Sequence, residues 1–537
     1  KHDYSEVGFP QDLRNCSVCH TNSSTDAAKN TPQGDNWKTE VSKEACLTCH
    51  ANGAGSAWNT SHTVYFGGTD PNTMTNAQCV ACHNPSSNPA LSPERVHWNQ
   101  NEENAAKYKM NIESATYDAG TRKVTVKYFL SDPTNGDAAY NLVTSDCTGT
   151  PSAPVCGSST RFGNLRLYLA YQNMVGQFPA VTEFSAYNNG GNMRADAYKG
   201  VNDGSNHYTI DIQVPPDTAT QVAFGTARVL SIGQIKEVKL AARSAADPRP
   251  PAVPLQLINV LAQNTYKDVA LSGTLMARRE VVSNDKCNAC HGALGSTSGS
   301  NTLAEAFHGG ARNTVEACAL CHDANRFSST VMTNGLEFSE NYQFKRMIHG
   351  IHGNSKRNYP FTHGNSVIGI FGMDGILTAQ GMTSGSLANA PVGTPFQPYS
   401  FTPVVPAGTP FGSGVENYAA EVAWPGVGIN CNACHVNNSY QQDLGTLGAA
   451  VRKPLVGSAQ PLTVDTNPNN WLVISPQAAS CTACHDSSAA MGHVTSFGGS
   501  SFGNRTQGQI AQLPRETCSD CHSPGGFKGV DIVHGLK

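Results

Sequence analysis

Cys287-Asn-Ala-Cys290-His291 is one of eight copies of a single five-residue pattern, and that pattern governs how the rest of the chain is read. Cys16-Ser-Val-Cys19-His20, Cys46-Leu-Thr-Cys49-His50 and Cys79-Val-Ala-Cys82-His83 precede it. Cys318-Ala-Leu-Cys321-His322, Cys431-Asn-Ala-Cys434-His435, Cys481-Thr-Ala-Cys484-His485 and Cys518-Ser-Asp-Cys521-His522 follow it. Together they take 16 of the 18 cysteines. Paired Cys-x-x-Cys ligands also build structural zinc sites, but a zinc ribbon has no reason to place histidine after every second cysteine. The pattern is that of covalent c-type haem attachment. Two thiols add to the vinyl groups along one porphyrin edge, and the adjoining histidine reaches the iron from one face. The expected cofactor is eight covalent haems c, with His20, His50, His83, His291, His322, His435, His485 and His522 as proximal iron ligands.

Composition agrees with a chain that needs such groups. At 537 residues two to four folded units are expected. Charged residues make up 14% and the hydrophobic set 39%, while Gly (51) and Pro (30) are plentiful. The polypeptide is short of apolar core for its size, so something other than side chains must fill its interior. A net charge of −4 gives no basic field for nucleic acid. No uninterrupted apolar run is long enough to span a membrane, and no signal peptide is visible at Lys1, as expected of a mature product. Haem attachment of this kind takes place beyond the cytoplasmic membrane, so the expected location is periplasmic, at the outer-membrane surface or extracellular.

Ten histidines lie outside the motifs. His2, His62 and His97 accompany the first three motifs; His308, His349, His352, His493 and His534 accompany the last five. Local supply thus equals local demand if every iron takes two histidines. His207, in a motif-free region, and His363, in a Pro/Asn/Gly-rich turn, are left over. His349 and His352 fall at i and i+3 of Phe344-Lys-Arg-Met-Ile-His-Gly-Ile-His352, on one helical face. They suit two neighbouring haems, one each, with Gly350 and Gly353 leaving room for the porphyrins.

From about Asn104 to Leu271 the pattern changes to period two. Val124, Val126, Tyr128 and Leu130 alternate with polar neighbours, as do Leu165, Leu167, Leu169 and Tyr171, and Tyr208, Ile210, Ile212 and Val214. Turn signals such as Asp132-Pro-Thr-Asn-Gly136 separate the runs. An antiparallel β-sandwich or Greek-key barrel is expected, flanked by two loop-rich, short-helix multihaem domains. The expected division is a trihaem domain over 1–103, a β domain over 104–271 and a pentahaem domain over 272–537, the last carrying a long Gly/Pro-rich insertion over 364–427. Cys147 and Cys156 lie in the β domain, where an oxidising compartment favours a structural disulfide, with a redox-responsive switch as the alternative.

The layout resembles the OmcA/MtrC family of outer-membrane multihaem cytochromes from metal-respiring bacteria. The residues that carry the resemblance are Arg278-Arg-Glu-Val-Val-Ser-Asn-Asp-Lys-Cys-Asn-Ala-Cys-His-Gly292, Phe307-His-Gly-Gly-Ala-Arg-Asn313 and Met347-Ile-His-Gly-Ile-His-Gly353. The Cys147/Cys156 pair also resembles that family's Cys-x8-Cys pair, which the resemblance implies to be redox-sensitive. Members typically alternate two β domains with two pentahaem domains. Here the leading β domain is absent and residues 1–103 look like a shortened pentahaem unit, with His62 and Cys79 matching His308 and Cys318 in order. The family implies electron transfer to extracellular acceptors such as metal oxides, flavins, electrodes or other cytochromes. The competing class is a multihaem reductase of nitrite or a sulfur oxyanion, which needs an open iron position; no Cys-x-x-Cys-Lys occurs, and the histidines suffice to close every iron. Gly499-Ser-Ser-Phe-Gly503 matches the hydrolase nucleophile elbow but has no preceding strand. His2, as the eighth distal ligand, could serve its own chain or complete an iron of the next copy in a homopolymeric filament.

Overall fold

The computed structural model describes residues 14–535 apart from 26, 51–55, 66, 143–147, 151–152, 156–160, 174–182, 186, 189–190, 218–221, 295–306, 325, 327–330, 334–335, 339–340, 354–361, 365–369, 373–374, 378–397, 400–414, 418–429, 442–447, 454, 457–462, 501–504 and 511–515. His2, Cys147 and Cys156 lie outside the described residues.

The alternating runs form the centre of the molecule as a β-sandwich. Its strands are β1 (Lys109–Asp118), β2 (Lys123–Asp132), β3 (Ala138–Ala139), β4 (Arg166–Asn173), β5 (Glu183–Ser185), β6 (Arg194–Asp196), β7 (Val201–Asn202), β8 (Tyr208–Gln213), β9 (Thr226–Ile232), β10 (Gln234–Val238), β11 (Leu257–Leu261) and β12 (Tyr266–Ala270). One sheet has the order β1-β2-β8-β7, with β3 added to β2; the other runs β6-β4-β9-β12, with β5 added to β4. Both are antiparallel throughout. Tyr128 faces Tyr208 and Val124 faces Ile212 across β2 and β8, so two of the three alternating runs are neighbours in one sheet. Their inward residues meet Leu165, just ahead of β4, and Leu167, Leu169 and Tyr171 within it, all with no exposed surface. The Asp132 turn forms as its sequence dictates: the Asp132 carboxylate accepts from Thr134 N, and Gly136 takes φ 61°.

The middle of the second sheet is buried on both faces. Every residue of β9 is buried, because Tyr168, Ala170, Leu230 and Ile232 on its outer side pack against Ala317, Leu320 and Cys321. The latter lie on a motif helix, so the sandwich is the platform on which the C-terminal motifs are built. Asn264 and Asn313 lock that junction reciprocally: Asn264 N donates to Asn313 Oδ1 at 2.9 Å, and Asn313 N to Asn264 Oδ1 at 2.7 Å. The N-terminal segment docks differently, through polar groups. Gln100 bonds Val238 O and Leu240 N, and the Arg249 guanidinium stacks 4.1 Å from the Trp98 ring while donating to Arg95 O.

The motif-bearing segments are short helices and turns with little apolar core. Among the described residues before Ala105, the buried apolar side chains are Val41, Pro71 and Met74. The C-terminal segment has small clusters around the Ala450–Arg452/Leu472–Ile474 ladder. Within the 364–427 insertion, Ile370–Gly372, Gly375–Leu377 and Pro398–Tyr399 form a three-stranded antiparallel sheet, and Thr362–Gly364 pairs with Val415–Asn417 at its base.

Candidate functional site

Each Cys-x-x-Cys-His motif is one helical turn. His20 N donates to Cys16 O at 2.8 Å, and the same bond recurs at His50, His83, His322, His435 and His485; His291 and His522 close the helices α6 (Asn284–His291) and α11 (Cys518–His522). Positions i, i+3 and i+4 share a helix face, so both sulfurs and the imidazole point the same way. None of the sixteen motif cysteines is in a disulfide.

The motif-bearing segments also contain α1 (Lys43–Cys46), α2 (Ala57–Tyr65), α3 (Asn76–Cys82), α4 (Pro93–Val96), α5 (Gln100–Ala105), α7 (Val315–Cys321), α8 (Phe344–His352), α9 (Pro476–Cys481), α10 (Ser488–Ser496) and α12 (Val530–Val533). Thr75, Ser283 and Thr314 cap α3, α6 and α7. Seven of the eight motif histidines face a second histidine. The ring centres are 6.0 Å apart for His50–His97 and His485–His534, 6.1 Å for His83–His62, His291–His352, His322–His308 and His522–His493, and 6.2 Å for His435–His349. With a metal–nitrogen bond of roughly 2 Å and a ring centre about 1 Å behind the nitrogen, two imidazoles on opposite sides of one iron stand roughly 6 Å apart. The residues therefore fit bis-histidine haem iron. Among the described residues no second histidine faces His20. His349 and His352 serve different motif histidines, on one turn of α8. His207 is bonded to Glu113 at 3.0 Å and stacked on Phe129, on the sandwich. His363 is paired with Glu416 in the strand at the base of the insertion.

The Nδ1 atoms orient these rings. Distal His62, His97, His352 and His534 place Nδ1 2.7–3.0 Å from the carbonyl oxygen four residues earlier, which belongs to Trp58, Pro93, Ile348 and Val530. Proximal His83, His322 and His522 use the carbonyls of Leu91, Tyr342 and Lys528 at 2.8–2.9 Å. A carbonyl cannot donate, so Nδ1 carries the proton and Nε2 is left as the metal-binding nitrogen. Burial pushes His349 down to about 3 and His435 down to about 4, which keeps both rings in the neutral, ligating form. Large apolar side chains stand open beside the pairs: Tyr65 near His62, Phe497 near His493, Phe527, Ile532 and Val533 near His522 and His534. A broad apolar ring suits such surroundings. Among the described residues no three His, Cys, Asp or Glu side chains gather as a zinc site requires.

The motifs adjoin one another through a repeated device. Asn76, three residues before Cys79, accepts from Lys43 N at 2.8 Å and donates to Glu44. Asn284, three before Cys287, accepts from Val315 N at 2.7 Å and donates to Glu316. Glu44 and Glu316 each stand two before a motif cysteine, so the 46/79 and 287/318 pairs are joined alike. Glu516, two before Cys518, accepts from Gln477 N and Ala478 N at the start of α9. Val436 N bonds Val281 O, and Lys286 Nζ bonds Asn432 O, bringing the 431 motif to the 287 motif. Cys484 Sγ lies 3.4 Å from His349 O, bringing the 481 motif to α8. The C-terminal motifs thus run in space as 318, 287, 431, 481, 518. Sequence reasoning missed Asn76, Asn284 and the three glutamates; the signal available was Asn or Glu recurring two or three residues ahead of the first cysteine. Ser501 of the elbow-like string lies outside the described residues.

Among the described residues no helix is long and apolar enough to cross a membrane. The chain matches a family model described as outer membrane cytochrome MtrC/MtrF-like, domains II/IV, over residues 1–97 and 279–535. Of solved structures, it is similar to the outer membrane decaheme cytochrome OmcA, with 17% identity and a TM-score of 0.51 over 99% of this chain and 62% of that one. The chain therefore spans 62% of the length of that relative. It also matches MtrC from Shewanella baltica OS185, with 16% identity and a TM-score of 0.41 over 97% of this chain and 74% of that one. No curated protein matches it.

Proposed function

The chain belongs to the family of MtrC/MtrF-like outer-membrane cytochromes, an electron-transfer family, and from that premise we propose that it is an octahaem conduit to extracellular acceptors. Haem, when bound, supplies one-electron iron chemistry. The protein's own residues would do the rest: the cysteine pairs would attach the porphyrins, and the opposed imidazoles would hold each iron. The observation that carries the reading is the set of seven histidine pairs at 6.0–6.2 Å. An iron closed on both sides relays electrons and offers no position for nitrite or a sulfur oxyanion. The contiguous motif order within the C-terminal unit supports relay along the chain. Metal oxides, flavins, electrodes and other cytochromes are the acceptors, and the division into 1–103, 104–271 and 272–537 is the working domain scheme.

The test is haem content by pyridine haemochrome, combined with electron paramagnetic resonance of the oxidised, full-length holoprotein. Eight haems per chain, all low-spin, are expected. A substantial high-spin fraction that binds cyanide or nitrite would favour the reductase instead.

His2 is the histidine left for the His20 iron. Reaching back within its own chain gives a monomer. Completing the His20 iron of the next copy makes a heterologous contact, and such contacts propagate into filaments when they do not close. In the filament reading, His2→Ala removes polymer and yields one high-spin haem per chain; native protein that is monomeric by scattering and microscopy excludes it. Cys147 and Cys156 flank a hairpin in which Thr148 pairs with Val155, which supports a disulfide between them. Intact mass with and without reductant decides it.

A further inference from the structure

We propose that Ser439, together with the buried Nδ1 of His349, makes the haem attached through Cys431 and Cys434 the first in the chain to be reduced. The proposal rests on the bis-histidine reading and deepens it. A peptide carbonyl that accepts the Nδ1 proton pushes electron density onto the imidazole, which strengthens its hold on Fe(III) and lowers the potential. In six of the seven histidine pairs at least one ring has such a carbonyl, through His97, His62 and His83, His352, His322, His534 or His522.

The His435–His349 pair has none. His435 Nδ1 lies 3.0 Å from Ser439 Oγ, and the one hydroxyl proton goes to Val281 O at 2.5 Å. The ring must therefore donate, to a hydroxyl oxygen that accepts less strongly than a carbonyl. His349 Nδ1 is buried with no hydrogen-bond partner among the described residues. Both imidazoles are thus left as weak donors to iron, which favours Fe(II).

Charge acts in the same direction. Lys345 is held by Gly448 O at 2.6 Å and Pro476 O at 2.8 Å, and Lys286 by Asn432 O. Lys345 stands one turn before His349 on α8, and Lys286 reaches into the 431 motif through Asn432 O, so both are positive neighbours of this pair. A positive field and burial both disfavour the more highly charged Fe(III) state. The 431 motif adjoins both the 287 motif and α8, which touches the 481 motif. One electron leaving a reduced neighbour on either side reduces this iron from Fe(III) to Fe(II), so charge collects mid-chain.

The test is a spectroscopic redox titration of full-length holoprotein, comparing wild type with Ser439→Asn and Ser439→Ala. Asparagine offers a carbonyl to His435 and an amide proton to Val281 O. It should shift only the first-reduced component to lower potential, by about tenfold in its reduced-to-oxidised ratio, which is ~59 mV for one electron. Alanine should move the same component the opposite way. A merely structural role would move both variants in one direction. If a later component moves, if both shift alike, or if none shifts in intact low-spin protein, the proposal is wrong. Should the serine variants fail to fold, Lys345→Gln must lower the first-reduced component, and an unchanged titration then overturns the proposal. High-spin iron in the wild type would instead sink the bis-histidine reading itself.

Discussion

The sulfur of Cys484 lies 3.4 Å from the carbonyl oxygen of His349. A cysteine of one motif thus touches the backbone of a residue that faces the histidine of another motif. The contact depends on Gly353, at the end of α8, where a Cβ would run into both Cys484 Sγ and His349 O. Arg346, fully buried on the same helix, fixes its pitch by donating to Thr482 Oγ1 at 3.1 Å. Thr482 sits inside the neighbouring motif, so the two motif sites share one joint.

Gly353→Ala tests the joint. Forcing a methyl into a closed contact costs on the order of 1–3 kcal/mol. The expected outcome is a lower unfolding midpoint together with perturbed spectra of two haems rather than one; a variant as stable as wild type with unchanged spectra would contradict it.

His352→Ala should convert one haem in eight from low-spin to high-spin, because His291 loses the ring opposite it. His207→Ala should leave the spin state untouched, since His207 is engaged with Glu113 on the sandwich. Electron paramagnetic resonance of the two variants gives the comparison directly.

Asn313→Ala removes three side-chain bonds at the platform, to Asn264 N, Ala262 O and Gly310 O. Leaving buried groups unsatisfied costs roughly 1–3 kcal/mol. Because Gly310 lies two residues beyond His308, the His308–His322 pair should loosen as well. Faster hydrogen exchange over 307–322, with β1 and β2 unaffected, is the expected result.

Tyr171→Phe should flatten the alkaline loss of stability. Burial pushes the Tyr171 phenol up to about 12, and its buried hydroxyl has no hydrogen-bond partner. The unfolded phenol ionises near 10, so the raised folded value gives stability that is present below pH 10 and lost as pH rises towards 12. Phenylalanine removes that dependence and leaves neutral-pH stability equal or slightly higher. A denaturation series from pH 8 to 12 (roughly the span of that titration) on both proteins would expose any failure of the argument.

The sequence by itself determined the chemistry and the kinds of element. Eight Cys-x-x-Cys-His strings, each fitting in one helical turn, need no tertiary contact to place two sulfurs and an imidazole together. The alternations at 124–130, 165–171 and 208–214 likewise specify half-buried strands, because period two is a local property of extended backbone. What they could not tell is that β4 and β9 are covered on their outer faces too, since that depends on a helix remote in sequence from both, Val315–Cys321, docking there. Nor could order along the chain assign the histidines. His62 follows the second motif yet faces His83; His97 faces His50; His493 and His534 are crossed in the same way between His522 and His485. These pairings are made across helices that meet only when the chain has folded, held by Asn76 on Lys43 N and by Glu516 on α9. Ligand type is a property of the residue, but which two residues stand 6 Å apart is a property of packing between elements remote in sequence, and only the tertiary structure decides it.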